Sequence, residues 1–381
     1  MAKTRVFSNP GTGSQTGVYH VVSRFVDRRK VFGDDEREAF RSMMGAFAAF
    51  HQVEILTFCL MGNHFHLLIR VPERPAGFEV PLEQMLGMMD RTVGPERMKV
   101  LRSQFRVWER CGGESGIEEW RQRMLGRMFS LSEFMKALKQ RFSQWYNRRK
   151  GRTGVLWEGR YKSVIVEDET KALRTMATYI DLNPVRAGIT EDPADYRWSG
   201  YAEAMAGKTA ALEGIALVTG ATAERMLGRA LGEAAPEENA GQRKRRHLKA
   251  LVHYRQLLGI AGRPRVKDDG TVVRRGVSLK VQERLAQESG VRREQLLKRV
   301  RHFTDGVVLG SREFINGWFE QNRSWFGGKS SEARKSGARR IGKDWKELYN
   351  LRQLGEEGAR EPSALITDTG PHIPPAPFSE G

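Results

Sequence analysis

Two apolar runs separated by three residues constrain this chain most: residues 53–60 (VEILTFCL) and 64–71 (HFHLLIRV), joined by Met61-Gly62-Asn63. Runs of this length and composition read as strands, and the Gly-Asn pair suits a tight reversal, so an antiparallel hairpin is expected. Successive side chains of a strand leave opposite faces. His64 and His66 therefore share one face, and Phe65, Leu67 and Ile69 the other. An apolar sheet face needs cover, and DDEREAFRSMMGAFAAF (34–50) offers it by setting Phe40, Met43, Met44 and Phe47 at helical spacing. Upstream, GVYHVVSR (17–24) is a further strand.

The remaining order follows from punctuation. Residues 81–130 read as an inserted helical segment, broken at Gly94-Pro95 and at CGGESG (111–116). Ser130 or Ser132 can cap the next helix, LSEFMKALKQRFSQWYNRRK, whose apolar stripe is Phe134, Leu138, Phe142 and Trp145. VLWEGRYKSVIV (155–166) is strand-like. Residues 168–182 form a helix that Asn183-Pro184 should end.

With 381 residues, about two domains are expected. We divide the chain into a flexible leader (1–16), a first domain (17–205), a helical segment and linker (206–242), a basic helical domain (243–350) and a mobile tail (351–381). Within the basic domain, SLKVQERLAQESG and VRREQLLKRVRHF form a possible helix-turn-helix.

Composition limits the partners. The 64 Lys and Arg against 46 Asp and Glu give a net charge of +18, which points to a polyanion, nucleic acid before membrane. No window approaches the roughly 18 apolar residues of a membrane span, and the N-terminus lacks the apolar core of a signal peptide. Cys59 and Cys111 form neither a CxxC pattern nor a disulfide framework. A cytoplasmic protein without membrane association is expected.

Three groups of residues can carry chemistry. His64 and His66 on one strand face can hold a divalent cation if a third ligand arrives from another element; as a bare pair they are equally read as a turn cap and a packed side chain. Tyr179 and Asn183 lie one helical turn apart. A tyrosine there can attack a phosphodiester and store the bond, with the Asn183 carbamoyl oxygen as a hard ligand beside it. The alternative is a core tyrosine and a helix-terminal asparagine. Tyr146 competes as nucleophile, but its neighbour at i+4 is Lys150, which ligates no cation.

The third group is basic. Between 139 and 162 stand Lys139, Arg141, Arg148, Arg149, Lys150, Arg152, Arg160 and Lys162 against the single acid Glu158, with Trp145, Tyr146, Trp157 and Tyr161 interleaved. Cations meet phosphates and exposed aromatics stack on unpaired bases, so Arg148, Arg149, Lys150, Arg152, Arg160 and Lys162 are the candidate DNA-binding residues. The basic run 243–246 and the stretch 329–346 can equally be solubilising charge.

Taken in order, YHVVSR, MGNHFHLLIR, NRRKGRTGVLWEGRYKS, YIDLNPVRAG and DYRWSGY resemble the landmarks of the REP-associated tyrosine transposases, single-tyrosine HUH transposases of bacterial insertion sequences. The resemblance covers about residues 17–205. It implies an α+β fold: a ferredoxin-like catalytic core with an antiparallel sheet and flanking helices, followed by a mainly helical C-terminal domain. It further implies that His64, His66 and Asn183 bind Mg²⁺ or Mn²⁺ and that Tyr179 is the nucleophile. The implied substrate is single-stranded DNA or a REP-like palindrome folded as a hairpin, cut to a 5′-phosphotyrosine and a free 3′-hydroxyl, by a monomer or homodimer. A host-adapted DNA-binding regulator of the same fold that performs no chemistry is the alternative. Gly62 stands where the family usually has proline, and the inserted segment is longer than in compact members.

Overall fold

The computed structural model describes residues 16–168, 170–222, 238–266, 272–278, 280–283, 307–322, 339–340 and 349–351. Nearly all of the leader, residues 223–237 of the helical segment and linker, most of the possible helix-turn-helix, most of 329–346 and the tail beyond 351 lie outside the described residues.

The hairpin expected from the sequence is present as β2 (Glu54–Leu60) and β3 (His64–Val71). Strand β1 (Gly17–Arg24) pairs with β3 and with β4 (Lys162–Val166), so that β2-β3-β1-β4 is antiparallel throughout. Helix α1 (Asp34–His51) connects β1 to β2. Helices α2 (Leu82–Asp90), α3 (Pro95–Arg110), α4 (Glu114–Leu125) and α5 (Leu131–Arg149) lie between β3 and β4. Strand order 2-3-1-4 with α1 and α5 as the crossovers is the ferredoxin-like arrangement.

One face of the sheet carries α1 and α5. Phe40 of α1 and Phe142 of α5 meet edge to face at 5.2 Å, and Phe65, from the apolar face of β3, packs against Phe40 at 4.8 Å. Aromatic pairs at these separations contribute beyond their area burial. Ser130 is the residue that caps α5, accepting from the Glu133 backbone N–H. The passage 155–166 is strand only from Lys162. Before that, Trp157 is drawn into the aromatic core, stacked on Phe25 at 4.5 Å with its indole N–H donating to Ser143 Oγ and the Lys139 carbonyl. Those bonds pin residues 155–161 as a loop over α5.

The inserted segment has its own small core. Met85, Leu86, Met98, Phe105, Trp120, Met124 and Leu125 pack together with Phe50 of α1. The breaks fall where the turn residues stand: α3 starts with Pro95 at its first position, and Gly112, at φ +67°, turns the chain between α3 and α4.

The other sheet face is covered by α6 (Thr170–Asp181), continued by the short α7 (Asn183–Arg186), and by α8 (Gly200–Met205) and α9 (Thr209–Thr219). Helix α10 (Ala240–Ala261) packs on α9 and α6. A Cβ at Gly214 of α9 would stand 2.3 Å from the Leu56 carbonyl oxygen, so α9 lies directly on the β2 backbone. The basic run 243–246 opens α10, and Arg246 is bound by both Glu213 and Glu238, each at 2.9 Å. Strand β7 (Val308–Gly310) adds to β4 in parallel and leads into α11 (Arg312–Gln321). Two short strands, β5 (Arg265–Val266) and β6 (Val272–Arg274), form a separate ribbon. β8 (Arg339–Arg340) and β9 (Tyr349–Leu351) extend the main sheet beyond β7. No described helix is long and apolar enough to cross a membrane.

Asp181, at the end of α6, is fully buried and ties the helix layer together. Thr57 Oγ1 donates to Oδ1 at 2.9 Å, the Tyr254 hydroxyl of α10 donates to Oδ2 at 2.6 Å, and the Tyr201 backbone N–H donates at 3.3 Å. Burial pushes its carboxyl up to about 7, against the lowering effect of these donors. Removing one donor leaves a buried carboxyl oxygen short of a partner. Tyr254→Phe is expected to lower stability by about 1–3 kcal/mol, read as an earlier denaturant midpoint with an unchanged m-value.

Candidate active site

Register decides what surrounds the histidines. Arg24 lies opposite His64, Val22 opposite His66 and His20 opposite Leu68, while Lys162 lies opposite Val22 on the other side of β1. Directly paired residues share a face. The histidine face therefore also carries His20, Arg24 and Lys162.

The rings form a cluster. His64 and His66 lie 4.9 Å apart between centroids, and His66 stacks on His20 at 5.2 Å with planes 9° apart. His66 Nδ1 and His20 Nε2 are 3.0 Å apart, a hydrogen bond between two buried imidazoles. His64 Nδ1 meets Asn63 Oδ1 at 2.6 Å. Where Nδ1 donates in both rings, each Nε2 keeps a lone pair for a ligand. Burial, reinforced by Arg24, pulls His64 down to about 4, and burial holds His66 well below the usual imidazole range, with His20, His64, Arg24 and Arg186 adding to the effect. Both rings are thus neutral at physiological pH, the form that binds cations.

Tyr179 comes down on this cluster from α6. Its ring stands edge-on to His20 and to His66, 5.9 Å from each. The Arg186 guanidinium lies 5.1 Å over the Tyr179 ring and donates to the Tyr179 carbonyl at 3.1 Å. Asn183, one turn on, donates through Nδ2 to the carbonyls of Tyr179 and Ile180 at 3.0 and 3.1 Å. Its Oδ1 makes no hydrogen bond among the described residues. The structure thus brings His64, His66 and Tyr179 together and holds Asn183 on the turn that carries the tyrosine.

Tyr146 is on the opposite layer, packed on Phe142 at 6.2 Å with Arg152 over its ring. Of the basic candidates, Arg148 is exposed and makes no ion pair among the described residues. Arg149 pairs with Asp35 at 2.8 Å and Lys150 with Glu36 at 3.0 Å, so the acidic start of α1 neutralises charge that looked unopposed in the sequence. Arg160 and Lys162 are exposed. Trp157 and Tyr161 are buried and offer no surface for a base, contrary to expectation, because the aromatic core claims them. His20 and Arg24 join the site from outside the expected groups; the signal for them in the sequence is their even, four-residue offset inside GVYHVVSR, which sets both on one face of a strand.

Among the described residues no group of three or more His, Cys, Asp or Glu side chains is arranged to hold a metal ion by itself. The donors this face could offer a cation would be the two neutral imidazoles and the Asn183 carboxamide oxygen, the Asn183 amide nitrogen being turned to the helix.

A tyrosine poised over a sheet-borne histidine pair is an arrangement suited to phosphodiester chemistry. Residues 14–76, from the approach to β1 through β3, match the family described as Transposase IS200 like. The chain is 23% identical over 185 residues, 49% of its length and 80% of the relative's, to a Haemophilus influenzae protein named for the REP-associated tyrosine transposases. A solved REP-associated tyrosine transposase bound to a REP hairpin aligns over 54% of this chain and 84% of its own, at 14% identity and a TM-score of 0.33. The matched segment is thus similar to the IS200-like transposases. Within that type, the chain resembles the REP-associated tyrosine transposases.

Proposed function

We propose that this protein is a divalent-cation-dependent DNA strand transferase whose nucleophile is Tyr179 and whose substrate is single-stranded or hairpin-forming DNA. The observation that supports it above the others is the edge-on approach of Tyr179 to His66 and His20, 5.9 Å from each, on the face where His64 also stands. In the reaction the Tyr179 oxygen attacks phosphorus and the bond to the 3′-oxygen breaks. The products are a 5′-phosphotyrosine and, once the leaving oxygen takes a proton, a free 3′-hydroxyl. Rejoining is the same exchange with a 3′-hydroxyl as attacker.

His64, His66 and Asn183 would hold Mg²⁺ or Mn²⁺, which polarises the scissile phosphate when bound. Arg24 and Arg186 bring fixed positive charge to the face a phosphate has to reach. Arg148, Arg152, Arg160 and Lys162 carry the flanking backbone, with Arg149 and Lys150 available by exchange of Asp35 and Glu36 for phosphate.

His20 and Asn63 are positioning residues, each fixing the ring of one ligand through Nδ1. Removing such a partner typically weakens metal binding 10–100-fold. His20→Leu is expected to weaken Mn²⁺ binding in that range, measured by titration of the DNA-free protein, with partial recovery in His20→Asn, whose carbonyl can accept the Nδ1 proton.

The deciding experiment is a denaturing gel with labelled hairpin DNA from the gene's own flanks, with Mg²⁺ or Mn²⁺ supplied or chelated. A cation-dependent protein-linked band is expected. Tight binding with no such band under any condition would sink the catalytic reading in favour of a DNA-binding regulator.

A further inference from the structure

The inserted helices meet the core at a place with an unbalanced charge. Arg141 and Arg148 are seven residues apart on α5, hence on one face and about 10 Å apart along the axis. Helix α3 begins against that face: a Cβ at its N-cap, Gly94, would lie 3.2 Å from the Arg141 guanidinium, and Arg97 is in its first turn. Arg141 is half-buried, while Arg97 and Arg148 are exposed. Burial, together with the charges of Arg148 and Arg97, pulls Arg141 below the usual guanidinium range.

None of the three pairs with a carboxylate among the described residues, whereas Arg149 and Lys150 on the same helix end both do. The first turn of α3 adds to the imbalance, since Gly94 supplies no side-chain cap and the helix presents its free N–H groups there. Its one acid, Glu96, is exposed. Gathering like charges at a partly desolvated point works against folding. Such local conflicts are expected where a ligand resolves them. The ligand that resolves this one is an anion with several oxygens, and the guanidinium fork matches phosphate.

We infer that Arg97, Arg141 and Arg148 form a backbone-phosphate site for the DNA strand, built jointly by the inserted helices and the core, so that the insertion is part of the DNA-gripping surface. The identity of the anion rests on the strand-transferase reading above. The geometry suits it: the end of α5 bearing Arg148 is joined by ion pairs to the start of α1, and the segment before α1 is bonded to the β2–β3 turn through Phe32 N–H and the Gly62 carbonyl at 3.0 Å. The arginine row thus starts at the end of the sheet where His64 stands and runs back along α5, on the layer opposite Tyr179. A DNA strand reaching both would pass round that end of the sheet.

The test uses the full-length protein and three variants, Arg97→Gln, Arg141→Gln and, as a control with the same charge change on α4, Arg123→Gln. Hairpin DNA affinity is measured by anisotropy across a salt series, and melting is measured without DNA, in phosphate against chloride at equal ionic strength. Arg141→Gln is expected to weaken hairpin binding about tenfold and to flatten the salt dependence by about 0.7–0.9 in slope for a lost contact. The control should stay within about twofold. Without DNA, Arg141→Gln should melt at or above the wild-type temperature, and phosphate should raise the wild-type Tm but not that of the variant. Unchanged affinity in both arginine variants, with the Tyr179 adduct still forming in the wild type, would overturn this inference alone. Failure of the wild type to bind hairpin DNA would overturn the strand-transferase reading and the DNA assignment with it, while the phosphate melt would still report on the anion site. A variant that melts several degrees lower and responds to phosphate like the wild type would make Arg141 a structural residue and end the proposal.

Discussion

Tyr179→Phe is expected to abolish the covalent DNA adduct, lowering strand cleavage by at least about 10³-fold, while hairpin affinity stays within about twofold. Loss of a nucleophile acts on the chemical step and leaves binding contacts in place. The substitution removes one hydroxyl and keeps the ring, so the edge contacts to His20 and His66 and the Arg186 packing are retained. Folding should be little changed, which a melting curve checks. Cleavage at the wild-type rate in this variant would reassign the nucleophile, and Tyr146, on the other layer beneath Arg152, would be examined next.

His66→Ala should be nearly as severe. His66 is the most enclosed of the proposed ligands and touches both its neighbours in the cluster, His20 through Nδ1 and Tyr179 through its ring edge. Its loss removes one of two imidazole donors and leaves His20 without its partner, so cleavage should fall by at least about a hundredfold and Mn²⁺ binding to the DNA-free protein should fall in parallel. Hairpin binding should persist, because the substitution leaves in place the cations proposed to meet phosphate, Arg24 and Arg186 on this face included. Metal binding unchanged in His66→Ala would remove the histidine pair from the site. His64→Ala makes the matching case, with the Asn63 Oδ1 losing its bond to the imidazole.

Much of the layer that carries the histidines and Tyr179 was legible locally. Alternation along β3 puts His64 and His66 on one face because the period of a strand is two. The four-residue offset of Tyr179 and Asn183 puts both on one turn because the period of a helix is near four. The start of α3 at Gly94-Pro95, the break between α3 and α4 at 111–113 and the start of α5 at Ser130 fall where residues either relax backbone limits or satisfy a helix end. Gly62, in place of the proline usual in relatives, leaves a turn that is still anchored, since its carbonyl accepts from Phe32 and that of Asn63 accepts from Phe25.

The remainder depended on partners far apart in the chain. Whether the basic segment 139–162 is free or paired was settled by Asp35 and Glu36, more than a hundred residues away, and whether Trp157 faces a base or the core by the space left between Phe25, Phe65 and Phe142. Asp181 reads in the sequence as an ordinary helix-end acid and is instead the buried junction of β2, α8 and α10. The sequence by itself determined the elements, their faces and the residue types able to do phosphodiester chemistry, because periodicity, turns and caps are set by neighbours in the chain. Only the tertiary structure decided that His20 orders His66, that Tyr179 closes over both, and that three arginines stand together without a carboxylate among the described residues, because β-sheet register, burial and charge pairing are set by neighbours in space.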